Sequence, residues 1–232
     1  MSSWTDERRE ARLNQGYFVQ DELTETQYNL ALGGVVLYGL LFNVVICLFA
    51  GDVFTWMNPL LFIIAYVICC IAGVRISSNS DSPLISFFGY NLVVVPVGLV
   101  VSSVVSGYGG VNSDVVFQAF AYTAIITFIM IGLASVAPNF FSKIGGILFA
   151  VLLGMIICEI IMLILGVNQI IFAWIGAVLF SLYIGYDFWK AQQYPKTMDN
   201  AVDSALDIYL DIINLFLNLL RILGNGNRRG RN

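Results

Sequence analysis

Charged residues are scarce in this chain. Asp, Glu, Lys and Arg make up 11% of its 232 residues, against about 25% in soluble domains, while 59% of the residues are apolar. This composition excludes an ordinary soluble globular domain and predicts a polytopic, all-α membrane protein. The formal net charge is −4, so no basic surface is available for binding nucleic acid.

Histidine is absent from the sequence, which removes the commonest metal ligand and the commonest general base. The four cysteines lie in apolar segments without CxxC spacing, which predicts buried thiols rather than a disulfide or metal site. They are Cys47, Cys69, Cys70 and Cys158. Because a GxSxG motif is also missing, we expect no enzyme activity and no resident cofactor.

The apolar residues form long continuous runs, and a helix needs about 20 of them to cross a bilayer. Seven segments meet this length, and short stretches rich in Gly, Asn, Ser or Pro separate them. The predicted spans are 29–50, 56–74, 83–106, 115–137, 144–165, 168–188 and 205–223. The organisation is therefore a polar segment at 1–28, a transmembrane domain at 29–224 and a basic tail at 225–232.

Basic residues predict the orientation of the spans, because loops rich in Lys and Arg stay in the cytoplasm. They cluster before span one, after span two, before span five and between spans six and seven: Arg8, Arg9, Arg12, Arg75, Lys143, Lys190 and Lys196. This distribution predicts a cytoplasmic N-terminus. Seven spans then place the C-terminus outside, whereas the three arginines of "GNGNRRGRN" favour the cytoplasm, and the sequence leaves this conflict open.

Ionisable side chains are rare within the spans. Each costs on the order of 3 kcal/mol at the bilayer centre on insertion scales, so each is a candidate functional residue. The candidates are Glu159, Asp187, Asp207, Asp211 and Arg221. Glu159 has no evident partner in the sequence, which indicates a protonated carboxyl or one that faces a cavity.

A polar stripe follows the last span. Positions 203, 207, 211, 214, 218 and 221 are separated by 4, 4, 3, 4 and 3 residues, which keeps them on one helical face. The stripe includes Asp207, Asn214, Asn218 and Arg221. It either lines a water-filled pore or forms a seam of hydrogen bonds between helices, and the negative charges favour the pore.

Asp187 and Asp211 flank the connection between spans six and seven. If that connection is centred near residue 199, both lie 12 residues from its centre and reach a similar depth. Two carboxylates that approach each other tend to share one proton. Alternatively, Asp187 ends a helix at the membrane surface and pairs with Lys190.

Several motifs resemble those of the Bax-inhibitor family, also called the transmembrane Bax inhibitor motif family. "FSLYIGYDFWK" at 180–190 and "ALDIYLDIINLFLNLLRILG" at 205–224 are similar to its C-terminal signature. "AFAYTAIITF" at 119–128 and "NLVVVPVGLV" at 91–100 resemble its fourth and third spans. The resemblance covers residues 29–224.

The resemblance implies a seven-helix fold in which the C-terminal helix is central and the other six surround it. It implies a passive, pH-sensitive calcium leak, in a bacterial cell membrane for a member of the bacterial type. Asp187 and Asp211 then match the paired aspartates of a proton-linked switch. Arg75 is the best positional match to the arginine that pairs with them in the closed form. Asp207 lies outside the shared pattern.

Calcium prefers oxygen ligands, and a leak must bind it weakly enough to release it. We therefore expect only weak, transient calcium contact at Asp187, Asp207 and Asp211. Two other functions remain open. One is a regulatory membrane protein that moves no ion and binds another membrane protein, such as a membrane protease; the other is a proton-coupled transporter.

Overall fold

The structure is a computed structural model that describes Glu10 and residues 22–165 and 170–229, without the side chains of residues 163, 164 and 227–229. The regular secondary structure of these residues consists of seven long α-helices and a short 3-10 helix at Val53–Thr55, joined by turns and loops. The long helices are α1 (Glu25–Phe49), α2 (Pro59–Ser78), α3 (Pro83–Gly107), α4 (Asp114–Val136), α5 (Pro138–Leu165), α6 (Ile170–Ala191) and α7 (Met198–Arg229).

Proline marks where several helices begin. Pro59, Pro83 and Pro138 each occupy the first residue of a helix, where a proline loses no intrahelical hydrogen bond because the first N–H groups have no partner there. Before α2, the Asn58 side chain accepts a hydrogen bond from the backbone N–H of Leu60 at 2.9 Å. The helix boundaries are thus set locally, by the residue types at each start.

Six helices, α1 to α6, are long and apolar enough to cross a membrane. Their outward surfaces carry large exposed apolar side chains, including Leu37, Ile63, Phe128 and Ile147. A soluble protein rarely exposes so much contiguous apolar surface, whereas lipid tails solvate it favourably. The sequence-based expectation of an all-helical polytopic membrane protein is confirmed at this level.

The last helix, α7, differs from the other six. It has 32 residues and carries aspartates at 199, 203, 207 and 211, so its composition does not meet the same apolar criterion. Most of its residues from 199 to 220 are nevertheless buried. The seventh span, and the arrangement of the other helices around α7, stay predictions.

Two helices extend beyond the predicted membrane spans. Helix α1 begins at Glu25 rather than 29, because Thr24 and Gln27 form a reciprocal capping box there. Helix α7 begins at Met198 rather than 205 and continues to Arg229, so most of the predicted tail is helical. Arg8, Arg9, Arg12, the 166–169 connection and residues 230–232 lie outside the described residues.

The chain divides into two compact units. The first comprises Met1–Ser103 and Ala191–Tyr209. In its core the rings of Tyr90 and Tyr209 lie 5.7 Å apart, and the Asn43 amide donates a hydrogen bond to the Tyr209 hydroxyl at 2.6 Å. This buried hydrogen bond satisfies polar groups that lipid could not.

The second unit comprises Val104–Lys190 and Leu210–Asn232. Here α5 and α6 approach closely at Gly185, where a Cβ atom would lie 2.4 Å from the Phe141 ring. Within lipid no hydrophobic effect drives helices together, so their association depends on close van der Waals packing. A glycine at the contact allows that packing, because it lets the Phe141 ring approach the backbone of α6.

The connection between α6 and α7 offers a test of orientation. Lys190 and Lys196 predict that residues 192–197 are cytoplasmic. A single cysteine at Gln193, an exposed position, should therefore react with a membrane-impermeant thiol reagent only after cells are opened. The native cysteines must first be replaced. Labelling in intact cells would invert the predicted topology.

Candidate functional site

Asp187 and Asp211 are both buried, and both belong to the second unit. Asp187 is 9% exposed near the end of α6, and Asp211 is 7% exposed on α7. The ammonium group of Lys190, one turn after Asp187 on α6, lies 3.5 Å from its carboxylate. The contact with Lys190 is thus present, and it supplies a positive charge next to a buried negative one.

Tyr183 is a third ionisable side chain of this region of the second unit. Its hydroxyl lies within electrostatic range of Asp211, Asp187 and Lys190 together. Tyr183 precedes Asp187 by one helical turn on α6, so its ring and the carboxylate share a face. Sequence reasoning assigns no role to Tyr183; its four-residue spacing from Asp187 is the signal that could have found it.

The prediction that the connection between α6 and α7 is centred near residue 199 is wrong. The connection between α6 and α7 is 192–197, so its centre lies near residue 195 rather than 199. Asp187 lies four residues before the end of α6, whereas Asp211 lies thirteen residues after the start of α7. The two aspartates are therefore not equally distant from the connection along the chain, although both belong to the second unit.

The amides of the polar stripe bond to their own helix. The Asn214 amide donates to the Leu210 carbonyl, and the Asn218 amide donates to the Asn214 carbonyl, each at 2.8 Å. Asn218 also packs against α6 at Gly176, where a Cβ atom would lie 2.7 Å from its side-chain oxygen. This geometry is that of a helix-packing contact, and a pore-facing role for the stripe stays a prediction.

Glu159 has a partner that the sequence did not indicate. Its carboxylate lies 3.6 Å from the guanidinium of Arg221, and the two side chains are 32% and 44% exposed. The interaction joins α5 to the distal part of α7. A paired charge is far less costly in a membrane than an isolated one, so the contact with Arg221 lowers the cost of placing Glu159 there.

Arg75 and Asp207 both lie in the first unit. Arg75 is exposed in the last turn of α2, and Asp207 is half-buried on α7, one turn before Asp211. The pairing of Arg75 with Asp187 and Asp211 stays a prediction.

Two further buried carboxylates lie in the first unit, at the start of α7. The Ser86 hydroxyl donates to Asp199 at 2.6 Å, and the Ser77 hydroxyl donates to Asp203. Both aspartates are less than a tenth exposed. Together with Asp207 and Asp211 they form a row of aspartates spaced four residues apart. The sequence does not indicate that Asp199 belongs to a helix, because it falls in the polar run "QQYPKTMDN", which is typical of a loop.

A resident metal site would need several ligands at one place. Among the described residues, no three His, Cys, Asp or Glu side chains are grouped closely enough to hold a metal ion. Weak contact of a permeant calcium ion with Asp187, Asp207 and Asp211 stays a prediction.

The described residues form six apolar helices of membrane-spanning length, and α6 and α7 carry buried carboxylates. These features define a polytopic helical membrane protein. A family model described as "Inhibitor of apoptosis-promoting Bax1" matches residues 23–228. The chain therefore belongs to the Bax inhibitor family, which confirms the resemblance seen in its motifs.

Individual relatives agree with this assignment. Bax inhibitor 1 of Saccharomyces cerevisiae is 44% identical over 63 residues, which are 25% of this chain and 20% of the yeast protein. An uncharacterised protein of Helicobacter pylori strain J99 is 35% identical over 142 residues, covering 60% of this chain and 57% of that protein. An uncharacterised membrane protein of Streptococcus pyogenes serotype M1 is 27% identical over 173 residues, covering 71% and 73%. The matches thus span less than two thirds of the Helicobacter and yeast relatives.

The close contact at Gly176 gives a test of the packing at Asn218. Gly176→Ala should lower the thermal stability of the purified protein, at a cost of about 1–3 kcal/mol, because the new methyl group overlaps the amide. Gly154→Ala is the matched control, since nothing lies within 4 Å of a Cβ atom there. Adding Asn218→Ala should restore most of the loss in Gly176→Ala. Equal melting temperatures for both glycine variants would contradict the contact.

Proposed function

We propose that this protein is a passive, pH-sensitive calcium leak of a bacterial cell membrane, with Asp187 and Asp211 as its proton-binding pair. The observation that supports this proposal most directly is the burial of both carboxylates in the second unit, where the Asp187 carboxylate lies 3.5 Å from the Lys190 ammonium. Membership of the Bax inhibitor family supports it as well.

The electrostatics of the pair explain why it would respond to protons. Two negative charges in a low-dielectric environment repel, so that the pair retains one proton more readily than two solvated aspartates would. Lys190 offsets one charge, since its ammonium lies 3.5 Å from Asp187. Loss of the remaining proton adds an uncompensated negative charge, which favours a rearrangement that admits water or a cation.

The same pair suits calcium as the permeant ion. Calcium is bound by oxygen ligands and prefers carboxylates. Two carboxylates with one shared proton provide a weak site, whereas a cage of several carboxylates would hold the ion too long for conduction. Protons and calcium would then compete for the same oxygen atoms, which couples the flux to pH without a histidine.

Calcium flux into liposomes that contain the purified protein tests the proposal. A passive leak should follow the calcium gradient without an energy source, and its rate should change between roughly pH 6 and 8. Absence of flux over this whole range would reject the leak and favour a regulatory protein that binds another membrane protein. A change of lumenal pH driven by calcium would instead indicate a proton-coupled transporter.

Substitution of the pair gives a sharper prediction. Asp187→Asn and Asp211→Asn each keep the side-chain shape but remove the titrating group, so each should flatten the pH dependence of the flux. The double variant should be no flatter than either single variant, because the pair acts as one unit. Asp207→Asn removes a carboxylate one turn earlier on α7 and should only move the midpoint. A wild-type pH profile in both single variants would refute the shared-proton switch.

Arg75 is predicted to neutralise the pair in the closed form. Arg75→Ala should therefore raise the leak at alkaline pH, because buried negative charge is then less compensated. Lys143→Ala removes another exposed cation, near the start of α5, and should leave the leak unchanged. Flux must be compared at equal protein incorporation. An identical alkaline leak in Arg75→Ala and the wild type would remove Arg75 from the mechanism.

A further inference from the structure

The N-terminal end of α1 contacts the connection between α6 and α7 within the first unit. We call Leu23–Asn29 the strap and residues 192–197 the connecting loop. The backbone N–H of Leu23 donates to the Lys196 carbonyl at 2.7 Å. At the other end of the strap, the Gln192 amide donates to the Asn29 side chain at 2.7 Å. The strap is thus bonded to both ends of the loop.

Tyr28 occupies the middle of this contact and is completely buried. Its hydroxyl donates to the Ala191 carbonyl at 3.0 Å, and the Asn200 carbonyl and Ser204 hydroxyl lie 3.4 Å away. Ala191 is the last residue of α6, whereas Asn200 and Ser204 belong to the first turns of α7. A single hydroxyl therefore contacts the helix ends on both sides of the loop.

Lys196 covers the same tyrosine. Its ammonium lies 4.5 Å from the centre of the Tyr28 ring and donates to the Gln192 carbonyl at 2.9 Å. Burial lowers the pKa of Lys196, an effect that the nearby Glu25 carboxylate opposes. An ammonium over an aromatic face is attracted by the ring, so the contact of Lys196 with Tyr28 stabilises the packing of the strap against the loop.

We propose that the strap is a conformational latch, which holds the connecting loop closed and thereby fixes the start of α7. Local opening of the loop requires the contacts around Tyr28 to break, because they join the strap to both ends of the loop. The effect on flux rests on the proposed function, since α7 carries Asp211. A force on the N-terminal segment would reach the loop through these contacts.

Proteolysis after Lys196 measures the opening of the latch without any reference to transport. The chain has three lysines, at 143, 190 and 196, so a lysine-specific endoproteinase has few sites. In Tyr28→Phe the ring remains but the hydroxyl is lost, and we expect cleavage after Lys196 of the detergent-purified protein to accelerate roughly five-fold. That factor corresponds to one buried hydrogen bond of about 1 kcal/mol. Asn29→Ala, at the half-buried end of the strap, should accelerate the same cleavage.

Tyr38→Phe is the matched control, because it removes another hydroxyl of α1, which donates to Asn91 at 2.8 Å. It should leave cleavage after Lys196 at the wild-type rate. Cleavage after Lys143 serves as the internal reference and should not change in any variant. Unchanged cleavage after Lys196 in both strap variants would overturn the latch. An equal acceleration of cleavage after Lys143 would also overturn it, because it would indicate a general loss of stability.

Calcium flux through the same variants separates the latch from the proposed function. If the wild type conducts, Tyr28→Phe should alter its flux, whereas Tyr38→Phe should not. Faster cleavage with unaltered flux would overturn the link between the latch and the leak. A wild type that moves no calcium would reject the leak alone, because the cleavage result decides the latch independently.

Discussion

The cost of placing a carboxylate in an apolar medium is the constraint on which this structure depends. Helices α1 to α6 expose mainly Leu, Ile, Val and Phe, and carry few ionisable side chains, among them Asp187 on α6 and Glu159 on α5. Helix α7 cannot avoid that cost, since aspartates recur along it at every fourth residue from 199 to 211. Three of these aspartates, at 199, 203 and 211, are buried, which keeps their carboxylates away from an apolar surface.

The buried aspartates are stabilised in two different ways. In the first unit, Asp199 and Asp203 accept hydrogen bonds from the serine hydroxyls of Ser86 and Ser77. A hydroxyl can satisfy a carboxylate oxygen in either protonation state, because it can rotate to donate or accept. In the second unit, Asp187 lies beside the Lys190 ammonium. An adjacent cation offsets the charge of that carboxylate, so the two units stabilise their buried aspartates by different contacts.

The polar stripe on α7 has both structural and chemical parts. Its amides, Asn214 and Asn218, bond to their own helix and pack against a neighbouring one. Arg221 turns to Glu159 on α5. Hydrogen bonds and close packing at small residues hold membrane helices together where the hydrophobic effect cannot. The distal half of the stripe thus makes packing and ion-pair contacts, whereas a pore-facing role for it stays a prediction.

What the amino-acid sequence determined by itself is the class and the framework of the protein. Scarce charge and long apolar runs define a helical membrane protein, and prolines and caps place most helix starts. The sequence also marked Asp187 and Asp211, because ionisable residues are conspicuous in apolar segments and the motifs around them resemble one family. These features are local, so they can be recognised without knowledge of the packing.

Tertiary structure alone decided which side chains meet. The sequence suggested equal distances of Asp187 and Asp211 from the loop centre, but the loop is 192–197, so its centre lies nearer to Asp187. Glu159 and Arg221 are 62 residues apart in the chain, and Ser86 and Asp199 are 113 apart. Partners at such separations depend on helix rotation and packing, which hydropathy and periodicity do not encode.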